Sequence, residues 1–185
     1  MSSWRDRRRA HPLRVGNPGG RDCAVWAGTT AQVQLTYQDG VSNAVTVPIV
    51  AAAPSLFTLN QSGTGQAAAI NVTDGKANTA ANPVKIGDYI FLYATGEGQT
   101  NPAGVDGKLA DSSAIHPALP VTVTVDGLPA FVQYDGGAPC EVAGLMQVNV
   151  QIPAGVHAGG YVPVVLQVGP AATVGGAVWI AVSGN

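Results

Sequence analysis

A single glutamate, Glu97, stands between two glycines in the segment "YATGEGQTNP" (Tyr93–Pro102). It follows the apolar run "VKIGDYIFL", so we expect it to lie where a strand ends. A carboxyl on such a loop could serve a glycosidase as acid or nucleophile, provided that a second carboxyl lies about 5–10 Å away. The alternative is a solvated turn residue whose flanking glycines let the backbone reverse sharply.

Two kinds of carboxylate could accompany Glu97. Several aspartates precede glycine and are interpreted as turn residues, namely Asp39, Asp74, Asp126 and Asp135. The acids that remain as partners on predicted loops are Asp106, Asp111 and Glu141. Because a β-sandwich gathers its loops at its two ends, these groups could meet there. A glycosidase that uses Glu97 with Asp106, Asp111 or Glu141 is therefore the first enzymatic alternative.

An esterase is the second enzymatic alternative. His116 lies close in sequence to Asp111, Ser112 and Ser113 in "DSSAIHPAL". However, a Ser-His-Asp triad is defined by its geometry in space rather than by sequence proximity. The chain also lacks a G-x-S-x-G nucleophile elbow.

Metal sites have little support in the sequence. The segment "NVTDGKAN" offers Asn71, Asp74 and Asn78 as weak calcium ligands, but it lacks the EF-hand spacing. Two cysteines, Cys23 and Cys140, and three scattered histidines do not form a zinc ligand set. We expect no metal and no cofactor, and we favour two free thiols, although the sequence does not decide whether the cysteines are bonded.

Exposed aromatic rings would suit a carbohydrate-binding module. Strand alternation places Tyr89, Phe91 and Tyr93 on one face, which we predict to be a core face. Trp179, in the last predicted strand, is the better candidate for an exposed ligand-binding ring.

The elements that position these residues are predicted to be strands. The chain is 46% hydrophobic and only 11% charged, and it is rich in residues typical of strands and turns. "VTVTVDGLPAFVQYDG" predicts a hairpin that turns at Asp126–Gly127. In "GLMQVNVQIP", alternation predicts that one face points to the core; it comprises Met146, Val148, Val150 and Ile152. No long helix is predicted, and many short strands favour an all-β, immunoglobulin-like β-sandwich.

Three segments are expected along the chain. Residues 1–26 are predicted to be a disordered, arginine-rich leader, which lacks the apolar segment of a signal peptide. Residues 27–50 contain a β-hairpin that resembles the closing hairpin of the chain, Tyr161–Val182, and we interpret it as the end of a preceding module. Residues 51–185 are predicted to form the Ig-like sandwich itself.

Charge and hydropathy limit the partners. From Ala27 onward the chain has nine acidic residues and three lysines. The resulting net charge of −6 should repel nucleic acid. No apolar stretch reaches the roughly 18 residues of a membrane span. We therefore expect no nucleic-acid and no membrane partner.

Several segments together resemble an uncharacterised group of bacterial, acidobacterial-type Ig-like C-terminal modules found in secreted proteins. They include "SNAVTVPIVAAAPSLFT", "NPVKIGDYIFLYATGEGQTNP", "GLMQVNVQIPAGV" and "VPVVLQVG", and the resemblance covers residues 31–182. The family usually has glycine at Cys140 and threonine at Trp179. The resemblance implies an extracellular or cell-surface module appended to larger proteins, without established catalytic residues.

The sequence therefore predicts a non-catalytic, extracellular Ig-like interaction or spacer module, with a small hydrolase and a carbohydrate-binding module as alternatives. It also predicts a homodimer. The hairpin at residues 31–50 carries apolar side chains that need a cover, and an isolated hairpin is only marginally stable. A two-fold dimer through this hairpin would cover both copies.

Overall fold

The computed structural model describes residues 14–16, 29–37, 40–104, 109–110 and 115–184. The predicted all-β class is confirmed, since these residues form strands and turns and no helix. Consequently none of them belongs to a helix with the length and apolarity needed to cross a membrane. The chain divides into two compact units between Val50 and Ala51.

The first unit contains five short strands. They are β1 (Arg14–Gly16), β2 (Thr30–Gln34), β3 (Thr36–Tyr37), β4 (Gly40–Val41) and β5 (Val45–Pro48). The predicted hairpin is confirmed, because β2 pairs antiparallel with β5 in the register Gln32↔Thr46. β1 pairs with the other edge of β2, so three residues of the predicted leader form a strand. The rest of residues 1–26, including Cys23, lies outside the described residues.

The second unit contains thirteen strands. The first seven are β6 (Ser55–Leu56), β7 (Gly65–Gln66), β8 (Ala69–Asn71), β9 (Val84–Lys85), β10 (Tyr89–Thr95), β11 (Thr100–Asn101) and β12 (His116–Pro117). The last six are β13 (Val121–Val125), β14 (Leu128–Gly137), β15 (Met146–Gln151), β16 (Gly159–Val168), β17 (Ala171–Ala172) and β18 (Val178–Ser183).

Eleven of these strands form one sheet, which curls into a half-barrel. Its main path runs β6-β10-β15-β14-β13-β16-β18-β7. The sheet bends at two long strands, β14 and β16. Each of them pairs with one strand over its first part and with another strand over the rest. β14 pairs first with β13 and then, around an irregularity between Val132 and Tyr134, with β15. β16 pairs with β18 and then with β13, with a bulge between Gly159 and Val162. Bulges of this kind bend a strand and increase its twist.

The core lies inside the curl. The prediction for the β15 segment is confirmed, since its alternate side chains are buried: Met146, Val148, Val150 and Ile152. They meet the inward residues of β16, such as Val164 and Leu166.

The predicted core stripe of β10 is wrong. Ile90, Leu92 and Ala94 are the buried residues, whereas the aromatic side chains between them are only half-buried. Both faces of this strand are apolar, so alternation alone could not decide which one turns inward.

The hairpin between β13 and β14 is confirmed and its turn is as predicted. Asp126 and Gly127 both have positive φ, 55° and 76°, as a type I′ turn requires. The interpretation of Asp135 as a turn residue is wrong. Asp135 lies within β14 and pairs with Val148 of β15, because β14 continues through the Asp-Gly dipeptide to Gly137.

Candidate functional site

The loop that carries Glu97 is pressed against the chain that enters the second unit. Gly96 and Gly98 have φ values of 80° and 77°. A Cβ atom on Gly96 would lie 1.9 Å from the carbonyl oxygen of Ala53, and one on Gly98 would lie 2.0 Å from that of Ala51. The amide of Ala53 donates a hydrogen bond of 2.9 Å to the carbonyl oxygen of Gly96. Glycine is therefore required for the close approach as well as for the turn.

This packing buries the glutamate between the two glycines. Glu97 is only 7% exposed, and its Oε2 atom accepts no hydrogen bond from a described residue. Burial raises the pKa of the Glu97 carboxyl, and the nearby Asp135 carboxylate raises it further. Both effects disfavour the charged form of the side chain.

Asp135 makes a hydrogen-bonding contact with His116, which β12 brings beside β14. The distance from His116 Nδ1 to Asp135 Oδ1 is 2.9 Å, and Nδ1 also contacts the backbone carbonyl oxygen of Asp135. Since both partners are acceptors, Nδ1 carries the proton in this arrangement. The carboxylate thus fixes the orientation of the imidazole.

Tyr134 completes this group. Its ring lies 5.6 Å from that of His116 between centroids, and its hydroxyl donates to the carbonyl oxygen of Gly137 at 2.7 Å. Burial raises the pKa of the Tyr134 hydroxyl, with smaller contributions from Asp135 and Glu97. We call these four residues, Glu97, His116, Tyr134 and Asp135, the polar cluster.

The polar cluster contains groups that could transfer protons. A raised carboxyl pKa next to a second carboxylate is an arrangement that acid–base enzymes use. Catalysis would also require that a substrate reach Glu97, and its 7% exposure gives little access.

The second unit also has a surface depression of about 300 Å³, whose lining includes none of the four residues of the polar cluster. It is lined by Tyr93, Ala138, Pro139, Glu141, Leu145 and Gln147. Of the predicted acids it therefore contains Glu141 and not Glu97. Burial raises the pKa of the Tyr93 hydroxyl and the Glu141 carboxylate adds to this effect, so Glu141 acts electrostatically on Tyr93.

The structure brings together some predicted residues and adds others. Asp106 and Asp111 lie outside the described residues, as do Ser112 and Ser113. His116 contacts Asp135, a residue that sequence reasoning had assigned to a turn. The bulge between Val132 and Tyr134 interrupts the alternation in "FVQYD", so the sequence carried no clear signal that β14 extends this far.

The weak calcium candidates hydrogen-bond to protein groups. The Asn78 amide group donates to Asn71 Oδ1 and to the carbonyl oxygen of Ala181, both at 2.9 Å, and its Oδ1 accepts from the amide of Ala181. Asn78 is fully buried. Its side chain hydrogen-bonds to the backbone of β18 at Ala181, as the backbone of a neighbouring strand would. Asp74 accepts from the amide of Lys76 and from the side chain of Asn82. Within the described ranges, no three metal-ligating side chains gather at one point.

Trp179 lies on the outward face of β18 and contacts another aromatic ring. Its centroid is 5.5 Å from that of Tyr161, at an interplanar angle of 58°. Tyr161 is 79% exposed. Sequence reasoning counted Tyr161 among the available aromatic residues but preferred Trp179 alone, because the pairing of β16 with β18 that sets the two rings side by side is a long-range contact.

Cys140 is exposed and forms no disulfide with a described residue. Its φ of 65° lies in the left-handed region that favours glycine. Comparisons of the chain with protein-family models, with curated proteins and with solved structures find no match.

Proposed function

We propose that residues 51–185 form a non-catalytic, extracellular Ig-like module that serves as an interaction surface or spacer. The observation that carries this proposal is the burial of Glu97. Glu97, the carboxyl whose pKa burial raises, is 7% exposed and lies in a loop packed against the backbone, whereas an acid that acts on a substrate must reach it.

The Ig-like assignment is supported by how the sheet bends. Sandwich folds commonly turn corners with strands that change sheets at bulges. β14 and β16 both change partners in this way, and their inward side chains share one core. The extracellular location rests on the family resemblance.

A small hydrolase is the second candidate, and the polar cluster favours it. Asp135 is close enough to Glu97 to raise its pKa, and Asp135 also orients His116. A carboxyl with a raised pKa beside a carboxylate is the pairing that glycoside hydrolysis uses, and an imidazole oriented by a carboxylate is part of the arrangement that ester hydrolysis uses.

Turnover assays separate the two candidates. The full chain would be incubated with a panel of chromogenic glycosides and esters, beside Glu97→Gln and a matched Glu141→Gln control. We expect no turnover above the buffer rate from any of the three proteins. Hydrolysis that Glu97→Gln abolishes and Glu141→Gln retains would establish the enzyme and refute the proposal.

We also propose that the chain forms a homodimer through the hairpin at residues 31–50. β5 is an edge strand of the three-stranded sheet, and several apolar side chains of this unit are exposed: Leu35, Val41, Val45 and Val50. An unpaired edge with apolar neighbours is a template for a second strand.

Sedimentation equilibrium at micromolar concentration tests the dimer. A lysine on the edge should prevent pairing, so Val45→Lys should yield a monomer. Val72→Lys is the matched control, since Val72 is also exposed but lies in the second unit. A wild-type chain that sediments as a monomer would refute this part of the proposal.

A further inference from the structure

The pairing of β16 with β18 is irregular close to Trp179. Gly159 pairs with Val182 and Val162 pairs with Ile180, so two residues of β16, Gly160 and Tyr161, oppose one residue of β18. A bulge of this type re-aims a side chain. Tyr161 lies two residues before Pro163, the partner of Trp179, so both rings lie on one face, and 79% of Tyr161 is in solvent.

The two rings keep surface and polar groups free for a ligand. At an angle of 58° they meet in a tilted contact and not in a parallel stack, with Tyr161 largely exposed and Trp179 half-buried. Neither the Tyr161 hydroxyl nor the Trp179 indole N–H bonds to another described residue. Each ring therefore offers an apolar face with an unused hydrogen-bonding group at its edge.

Two charged residues border this face: Asp126, whose amide donates to the carbonyl oxygen of Pro163, and Lys85, which pairs with Ser183. Cross-strand pairing places Pro163 and Gln66 beside Trp179, and Thr124 beside Val165. Threonine hydroxyls and glutamine amides alternate here with apolar side chains. The strands β7, β13, β16 and β18 contain no Asp, Glu, Lys or Arg at all.

Charge therefore argues for a neutral ligand. The chain from Ala27 onward has a net charge of −6, which disfavours anionic polymers. A neutral sugar ring has an apolar C–H face that can stack on an aromatic ring and hydroxyls that can pair with nearby polar groups. The two rings carry no charge, so a ligand that covers them removes no ion hydration there.

We propose that Tyr161 and Trp179 form a binding platform for a neutral oligosaccharide on the outward face of β16 and β18. This inference rests on the proposed non-catalytic function and gives its interaction surface a ligand class. The sugar is bound and not cleaved, since the polar cluster is a separate group of residues from the platform.

Calorimetric titration of the full chain tests the platform. The probes are cellohexaose, xylohexaose, maltohexaose and chitohexaose, with a heparin hexasaccharide as the anionic comparison. At least one neutral hexasaccharide should bind, and heparin should not. Tyr161→Ala and Trp179→Ala should each weaken binding by about tenfold, the loss expected for one stacking ring.

Two further variants keep the result interpretable. Trp179→Phe retains a ring if Trp179→Ala fails to fold, and it should weaken binding less than Tyr161→Ala does. Phe131→Ala is the matched control, because Phe131 is 63% exposed in β14, which pairs with neither β16 nor β18. It should leave the affinity unchanged.

The platform is refuted if no neutral hexasaccharide binds at millimolar concentration, or if Tyr161→Ala binds as tightly as the wild type. It is also refuted if Tyr161→Ala converts a wild-type dimer to a monomer, since a second copy would then cover this face. Cleavage of a bound probe would instead refute the non-catalytic function, so the two failures are distinguishable.

Discussion

Glu97 and Asp126 both stand beside glycines with positive φ, yet their carboxyls have opposite surroundings. The loop around Glu97 is packed against Ala51 and Ala53, which buries the carboxyl and raises its pKa. The turn at Asp126 is open, since a Cβ on Gly127 would meet nothing within 4 Å. Hydrogen bonds from the amide and ring of His157 lower the pKa of Asp126. An acid next to a glycine can lie in a turn, as these two do, or within a strand, as Asp135 does, and the packing around it specifies the chemistry.

The largest expected effect is the loss of folding stability in Gly96→Ala, compared with the loss in Gly127→Ala. Gly96→Ala would force a Cβ to within 1.9 Å of a backbone oxygen at a φ of 80°. Overpacking and left-handed strain together should cost about 3 kcal/mol or more. Gly127→Ala has the strain alone and should cost about 1 kcal/mol.

Thermal unfolding measures the difference between these variants. Gly96→Ala should lower the Tm by about 10 °C and Gly127→Ala by a few degrees. Equal losses in the two variants would show that the close approach of Gly96 to Ala53 does not exist in solution.

The second prediction concerns the pH dependence that Glu97 contributes. Because its folded-state pKa is raised, its contribution to stability is fully present below the unfolded pKa of about 4.5 and is lost as the pH rises through the folded pKa. Glu97→Gln keeps the neutral shape and cannot ionise. Its stability should match the wild type near pH 4 and exceed it increasingly as the pH rises.

Urea unfolding of both proteins from pH 4 to pH 9 measures this difference. If the two stability curves run parallel over the whole range, Glu97 is not buried as the structure has it. An exposed acid would give the same pH dependence in the folded and unfolded states.

The smallest expected effect is at Asp126. Its pKa is lowered, so its contribution is present above the unfolded pKa of about 3.8 and is lost as the pH falls through the folded pKa. Asp126→Asn retains a residue that tolerates positive φ and removes the charge. The variant should be slightly less stable at pH 7, and this difference should shrink as the pH falls below 3.8, the opposite direction to Glu97→Gln. A gain in stability at pH 7 would contradict the contact with His157.

Local pattern determined much of the β-structure of this protein. Alternation in "VTVTV" and "MQVNVQ" specified β13 and β15 and the buried face of β15, because one face of each strand is visibly more apolar. Asp126–Gly127 specified its hairpin because few dipeptides tolerate two successive positive φ values. The all-β class followed from the same signals.

Tertiary structure decided the features on which function depends. Burial of Glu97 requires residues 51–53, which lie more than forty positions earlier, and Asp135 meets His116 only because β14 continues past its Asp-Gly dipeptide. The parallel pairing of β7 with β18 and the contact between Tyr161 and Trp179 likewise join distant segments. Sequence alternation reports which residues share a strand face, but burial and pKa depend on what packs against that face, and here long-range contacts determine both.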